Sequence, residues 1–128
     1  PSIGLLMMNS LAAADRVLLP VQCEYYALEG VTEILGLIEQ IRQSCGGELA
    51  IEGVVMTMFD GRTRLSQEVV GEVRHLLGAK VFETLIPRTT RLAEAPSHGK
   101  PILYYDKYST GSAAYEVLAQ EFLARLES

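Results

Sequence analysis

Asp15 to Gln22 reads DRVLLPVQ, and this short run decides what kind of chain it belongs to. Its apolar residues are continuous and include two β-branched valines, so it does not alternate as a half-exposed strand would. Such a strand fits the interior of a parallel sheet, where helices cover both faces. Pro20 has no amide for one ladder bond, which places it near the strand's end. Two later runs have the same character: Ile51 to Phe59 (IEGVVMTMF) and Val81 to Ile86 (VFETLI).

Between the strands the period changes. Leu28, Val31, Leu35, Ile38 and Ile41 recur at three and four, with Glu29, Glu33, Glu39 and Arg42 opposite, and Gly46-Gly47 ends that helix. A second helix sets Leu65, Val69, Val73, Leu76 and Leu77 on one face and stops at Gly78. A third, about Ser112 to Leu126, carries Tyr115, Leu118, Phe122 and Leu126. Ahead of the first strand, Ser2 to Ala14 has helical spacing at Ile3, Leu6, Met7 and Leu11. Strands alternating with helices predict an α/β fold, a parallel sheet with helices on both faces. Residues 1–128 are expected to form a single domain.

The bulk composition agrees. The chain has 128 residues, 48% hydrophobic and 21% charged, as suits a soluble globular domain. No stretch reaches the ~18 apolar residues of a membrane span, and PSIGLLMMNS lacks a basic signal-peptide region. A net charge of −5 excludes a general polycation, so any contact with DNA has to come from a local patch. Cys23 and Cys45 lie in different elements without CxxC spacing, and both are expected to be reduced, buried thiols.

In a parallel sheet the ligand crevice lies beyond the carboxyl ends of the strands. Those ends carry Gln22-Cys23-Glu24-Tyr25, Met58-Phe59-Asp60-Gly61-Arg62 and Pro87-Arg88-Thr89. The third runs into Ile86 to Asp106, IPRTTRLAEAPSHGKPILYYD, which contains Pro87, Pro96 and Pro101. Proline removes a donor and fixes φ, so the stretch is expected to be an ordered loop of about twenty residues, a length usually kept for function. Six of the eleven bases (Arg62, Arg64, Arg88, Arg91, Lys100 and Lys107) fall in the loops after the second and third strands. Grouped on one edge they could meet phosphates; the ordinary alternative is solvated loop charge.

Bare chemistry adds no catalytic set. The one Gly-Lys, Gly99-Lys100, is followed by Pro101 and has Glu94 where a P-loop needs its first glycine. GxGxxG, HExxH and GxSxG do not occur. His75 and His98 have no second ligand at metal spacing and read as surface residues. Asp60, Glu94 and Asp106 read as solvated carboxylates.

Three ordered motifs, QCEYYALEG (Gln22 to Gly30), TMFDGRT (Thr57 to Thr63) and IPRTTRLAEAPSHGKPILYYD, closely resemble the ParA/Soj chromosome-partitioning ATPases. These belong to the deviant-Walker group that includes MinD. Pro1-Ser2-Ile3-Gly4 resembles the tail of that family's DxPPSxG switch loop. The family's P-loop and switch aspartate lie upstream, so the chain resembles the C-terminal half of such a P-loop NTPase.

The resemblance implies ATP and magnesium in the full-length protein, an ATP-driven homodimer, sequence-independent binding to duplex DNA and a ParB-type partner that stimulates hydrolysis. It implies a purine slot at Met58, Phe59, Pro87 and Arg88, and DNA contacts by Arg62 and Arg91. No catalytic residue or metal ligand carries over, so the chain alone is not expected to hydrolyse ATP or bind it tightly. The expected setting is the cytoplasm, on the nucleoid, without membrane. Two alternatives remain at this level: a MinD-like membrane-cycling regulator and a stand-alone, non-catalytic α/β binding module. Glu116, Glu121 and Glu127 against Arg125 in the last helix weigh against the first, since anionic lipid would repel them.

Overall fold

The structure, a computed structural model, describes Gly4 to Glu127; the switch-loop resemblance at Pro1-Ser2-Ile3 lies outside the described residues. Three parallel strands form one sheet in the order β1-β2-β3, with β1 at Arg16–Gln22, β2 at Ala50–Phe59 and β3 at Val81–Pro87. The main helices are α1 (Leu5–Ala13), α2 (Ala27–Cys45), α3 (Arg64–Leu77) and α6 (Thr110–Leu126), with two short ones, α4 (Thr90–Glu94) and α5 (Ile102–Tyr105), in between.

Alternation along β2 explains the layers. Val54 and Met56 point to one face and pack with Val31 of α2 and with Val69, Val70 and Val73 of α3. Val55 points to the other, where Phe82 and Ile86 of β3 meet Leu118 and Phe122 of α6. Helices therefore lie on both faces, as the continuous apolar runs require. On the first face α1 adds Met7 and Leu11 to a cluster with Leu37, Ile38 and Ile41. Gly53 is needed where it stands: a Cβ there would sit 2.2 Å from the Phe82 ring.

The first strand departs from expectation. Its α2 side packs Leu19 and Val21, but Leu18 and Pro20 on the other side are exposed, because α6 reaches only β2 and β3. Beside it a hollow of about 480 Å³ opens between strand and helices, lined by Met7, Leu19, Val21, Tyr26, Val31 and Ile34. Cys45, expected inside, is exposed at the end of α2, whereas Cys23 is buried, and burial pushes its thiol pKa up.

Where β3 slips register against β2, a side chain of α6 takes up the amides of the irregular stretch, beside an open hollow of about 800 Å³ between β3 and α6. The Glu121 carboxylate of α6 accepts the amides of Glu83 (2.8 Å) and Thr84 (3.0 Å) and the Thr84 hydroxyl (2.6 Å). Arg125 holds the same carboxylate at 3.2 Å and lies 4.0 Å over the Phe82 ring. Burial raises the Glu121 pKa, but the Thr84 hydroxyl, the two amides and Arg125 outweigh it and leave the pKa below the ordinary glutamate value.

Candidate nucleic-acid interface

The loops after β2 and β3 leave the same edge of the sheet, because the strands are parallel neighbours with Phe59 opposite Pro87. The Arg88 amide donates to the Phe59 carbonyl at 3.0 Å and ties the loops together. Met58 takes φ 53°, a left-handed conformation rare for a residue with a side chain. Such strain gathers at functional sites. Met58, Phe59 and Pro87 are half-buried and Arg88 is exposed, so the four proposed purine-slot residues share this edge.

The first basic loop folds around Asp60. Its amide donates to the Ser66 hydroxyl at 3.1 Å, and its carbonyl accepts the Thr63 hydroxyl at 2.9 Å. Thr63 then caps α3, accepting the Ser66 amide at 3.2 Å. The Asp60 carboxylate takes Arg62 as a fork, Nε to Oδ1 at 3.0 Å and Nη2 to Oδ2 at 3.1 Å. The Arg62 hydrogen bonds hold the Asp60 carboxyl below its usual range. The Arg62 side chain is 91% exposed, so this fork stands in solvent.

The expected long loop after β3 is in fact broken into helical turns. Thr89 caps α4 by accepting the Leu92 amide at 3.0 Å. Pro96 opens a 3₁₀ turn, Ala95–His98, and Pro101 stands at the N-cap of α5. Proline is compatible with these first-turn positions, where an amide has no helical partner anyway. Arg91 of α4 pairs through Nε with Asp106 at 3.2 Å and through Nη1 with Glu94 at 3.7 Å. The Tyr105 hydroxyl donates to Glu94 at 2.5 Å, which pushes the phenol pKa up, and His98 stacks on Tyr105 at 4.8 Å. Leu92 anchors the segment: Gly111 of α6 lies so close that a Cβ there would meet Leu92 Cγ at 2.6 Å.

The bases follow adjoining strand ends, and Asp60, Glu94 and Asp106 are not free solvated carboxylates. Each belongs to one of the two arginines. The i, i+3 spacing of Arg91 and Glu94 was a legible signal for one pair; Asp106, fifteen positions on, was not. Exposed His75 and His98 agree with the surface reading. Among the described residues no three His, Cys, Asp or Glu converge to hold a metal, and no helix is long and apolar enough to cross a membrane.

Met58, Phe59, Pro87 and Arg88 stand at the adjoining ends of β2 and β3, and the 128 residues contain no P-loop motif. Fold and edge together define the class, part of a P-loop-NTPase-type α/β unit. A solved cobyrinic acid a,c-diamide synthase from Mycobacterium smegmatis, with bound ADP and magnesium, superimposes with TM-score 0.72 at 31% identity, over 99% of this chain and 44% of that one. A family model described as an AAA domain matches residues 1–51.

Sequence narrows the class. The chromosome-partitioning ATPase Soj of Treponema pallidum is 50% identical over 98% of this chain and 49% of its own. The sporulation initiation inhibitor protein Soj of Bacillus subtilis is 50% identical over 97% of this chain and 49% of its own. The chain belongs to the Soj/ParA family of chromosome-partitioning ATPases, and it spans about half the length of the curated relatives it matches.

Proposed function

We propose that this chain is the DNA-facing, C-terminal part of a partitioning ATPase that dimerises on ATP, holds duplex DNA without sequence preference and releases it when a ParB-type partner stimulates hydrolysis. The 128 residues would act as one α/β unit in the cytoplasm, on the nucleoid. One observation carries the reading: half-identity to Soj proteins runs along nearly the whole chain, including the segments after the neighbouring strands β2 and β3 that carry Arg62 and Arg91. Guanidinium forks suit phosphate oxygens because they bond two at once, which an ammonium cannot do.

Met58, Phe59, Pro87 and Arg88 would hold the base of ATP. Triphosphate and magnesium would be held by the P-loop part of the protein, and magnesium would there offset the charge that develops on the phosphates. This chain's own contribution is to orient the base and to place the arginines. No observation favours a MinD-like membrane role. Glu121 and Arg125 of the last helix are engaged with β3 rather than presented as a lipid-binding face.

The test is duplex binding by the intact protein with Mg-ATP. Arg62→Ala and Arg91→Ala should each weaken binding about tenfold on any sequence and lower the salt slope by roughly one. ATP-dependent dimerisation should persist. Wild-type binding by both variants across a salt series would refute the assignment and turn attention to Lys100 and Lys107.

A further inference from the structure

Six bases stand on or beside the two loops, yet among the described residues only Arg62 and Arg91 of these six form ion pairs. Arg64, Arg88, Lys100 and Lys107 form none. The two arginines proposed to touch DNA are thus the two that the chain supplies with carboxylates of its own. The Asp60 fork on Arg62 has the two parallel bonds that an arginine makes with a phosphate. Asp106 forms a single ion pair with Arg91, 3.2 Å from Nε, and Glu94 lies 3.7 Å from Nη1.

Apart from the Arg62 amide, which an asparagine oxygen could also accept, neither aspartate carboxylate has a partner beyond its arginine among the described residues. The carboxylate of Asp60 bonds only the Arg62 side chain and its amide; the Ser66 and Thr63 bonds of this residue use its backbone. The local fold should therefore survive neutralisation of the side chain.

We infer that Asp60 and Asp106 are internal phosphate surrogates, which hold Arg62 and Arg91 ready but must yield them before DNA is gripped, and so keep that grip weak. This rests on the DNA-binding role proposed above. A phosphate approaching either arginine meets a carboxylate already on the Nε side and has to displace it or accept the outer Nη donors beside a like charge. Positioning favours DNA and charge opposes it. An Asp→Asn exchange separates the two, because the amide oxygen still accepts from the guanidinium while the charge is gone. The lowered pKa of Asp60 agrees with a carboxylate that stays charged beside its arginine at neutral pH.

The experiment measures binding of the intact protein with Mg-ATP to a random-sequence duplex over a salt series. Asp60→Asn and Asp106→Asn should each tighten binding by up to about tenfold and steepen the salt slope by up to about one, as one more phosphate contact would. In the Arg62→Ala background Asp60→Asn should lose that gain, and likewise Asp106→Asn with Arg91→Ala. Thermal melts check that the variants fold. Unchanged or weaker binding in the Asn variants overturns the inference while leaving the arginine assignment intact. A gain that survives removal of the arginine also overturns it, because that is general repulsion relieved. If the arginine variants bind as wild type, the DNA reading fails and the inference falls with it.

Discussion

The two edges of this sheet are finished to different degrees. Phe82 of β3 and Leu18 of β1 lie on the same face, since Gly53 stands beside Leu18 in register and points at the Phe82 ring. Phe82 is 0% exposed under Phe122 and Arg125, whereas Leu18 is 48% exposed. Both strands border open hollows, of about 800 Å³ at β3 and about 480 Å³ at β1, but β3 also gives two amides to Glu121. The same face is covered by α6 at β3 and bare at β1.

The sharpest way to break this contrast is Phe82→Ala. It empties a fully buried ring site, and chemical denaturation should show a loss of about 3–5 kcal/mol. A loss near zero would mean that α6 does not seal this end of the sheet.

Next comes Glu121→Gln, which takes the charged acceptor from all three donors, turns one acceptor oxygen into a donor NH2 and so strands at least one of them. It should cost about 1–3 kcal/mol by the same measurement. Its pH dependence sharpens the point. The folded pKa of Glu121 is the lower one, so its stabilisation is complete above the unfolded value near 4.5 and is lost as pH falls through the folded value. The wild type should therefore lose stability faster than the Gln variant below that pH, and parallel curves would remove Glu121 from the account.

The smallest effect is expected at the open edge. Leu18→Ser should change stability by no more than about 0.5 kcal/mol, as for an ordinary surface site. Sedimentation of this 128-residue chain should show less self-association than wild type, because an apolar face has been made polar. A cost like that of Phe82→Ala would show that Leu18 is already covered.

Most of this architecture was legible in the sequence. Continuous apolar runs announced parallel strands, and residues spaced at three and four announced α2, α3 and α6. The bare side of β1 was not legible, because DRVLLPVQ is written for a cover that these residues do not supply. The short helices after β3 escaped notice because four or five residues show no period, and their prolines look like breakers unless recognised as helix starts. Glu121 looked like one more surface charge on the last helix, since its partners lie 37 and 38 positions away. At the candidate interface the bases were visible as a group. Their pairing was not, because Asp106 reaches Arg91 only after the chain has turned through α5.

The carboxylate of Glu121 also bears on what can approach β3. It already occupies the amides of Glu83 and Thr84, two donors that an incoming strand would need for its ladder. A strand drawing up to that stretch would have to displace a charged side chain, and a charge placed on a rim in this way discourages pairing between molecules.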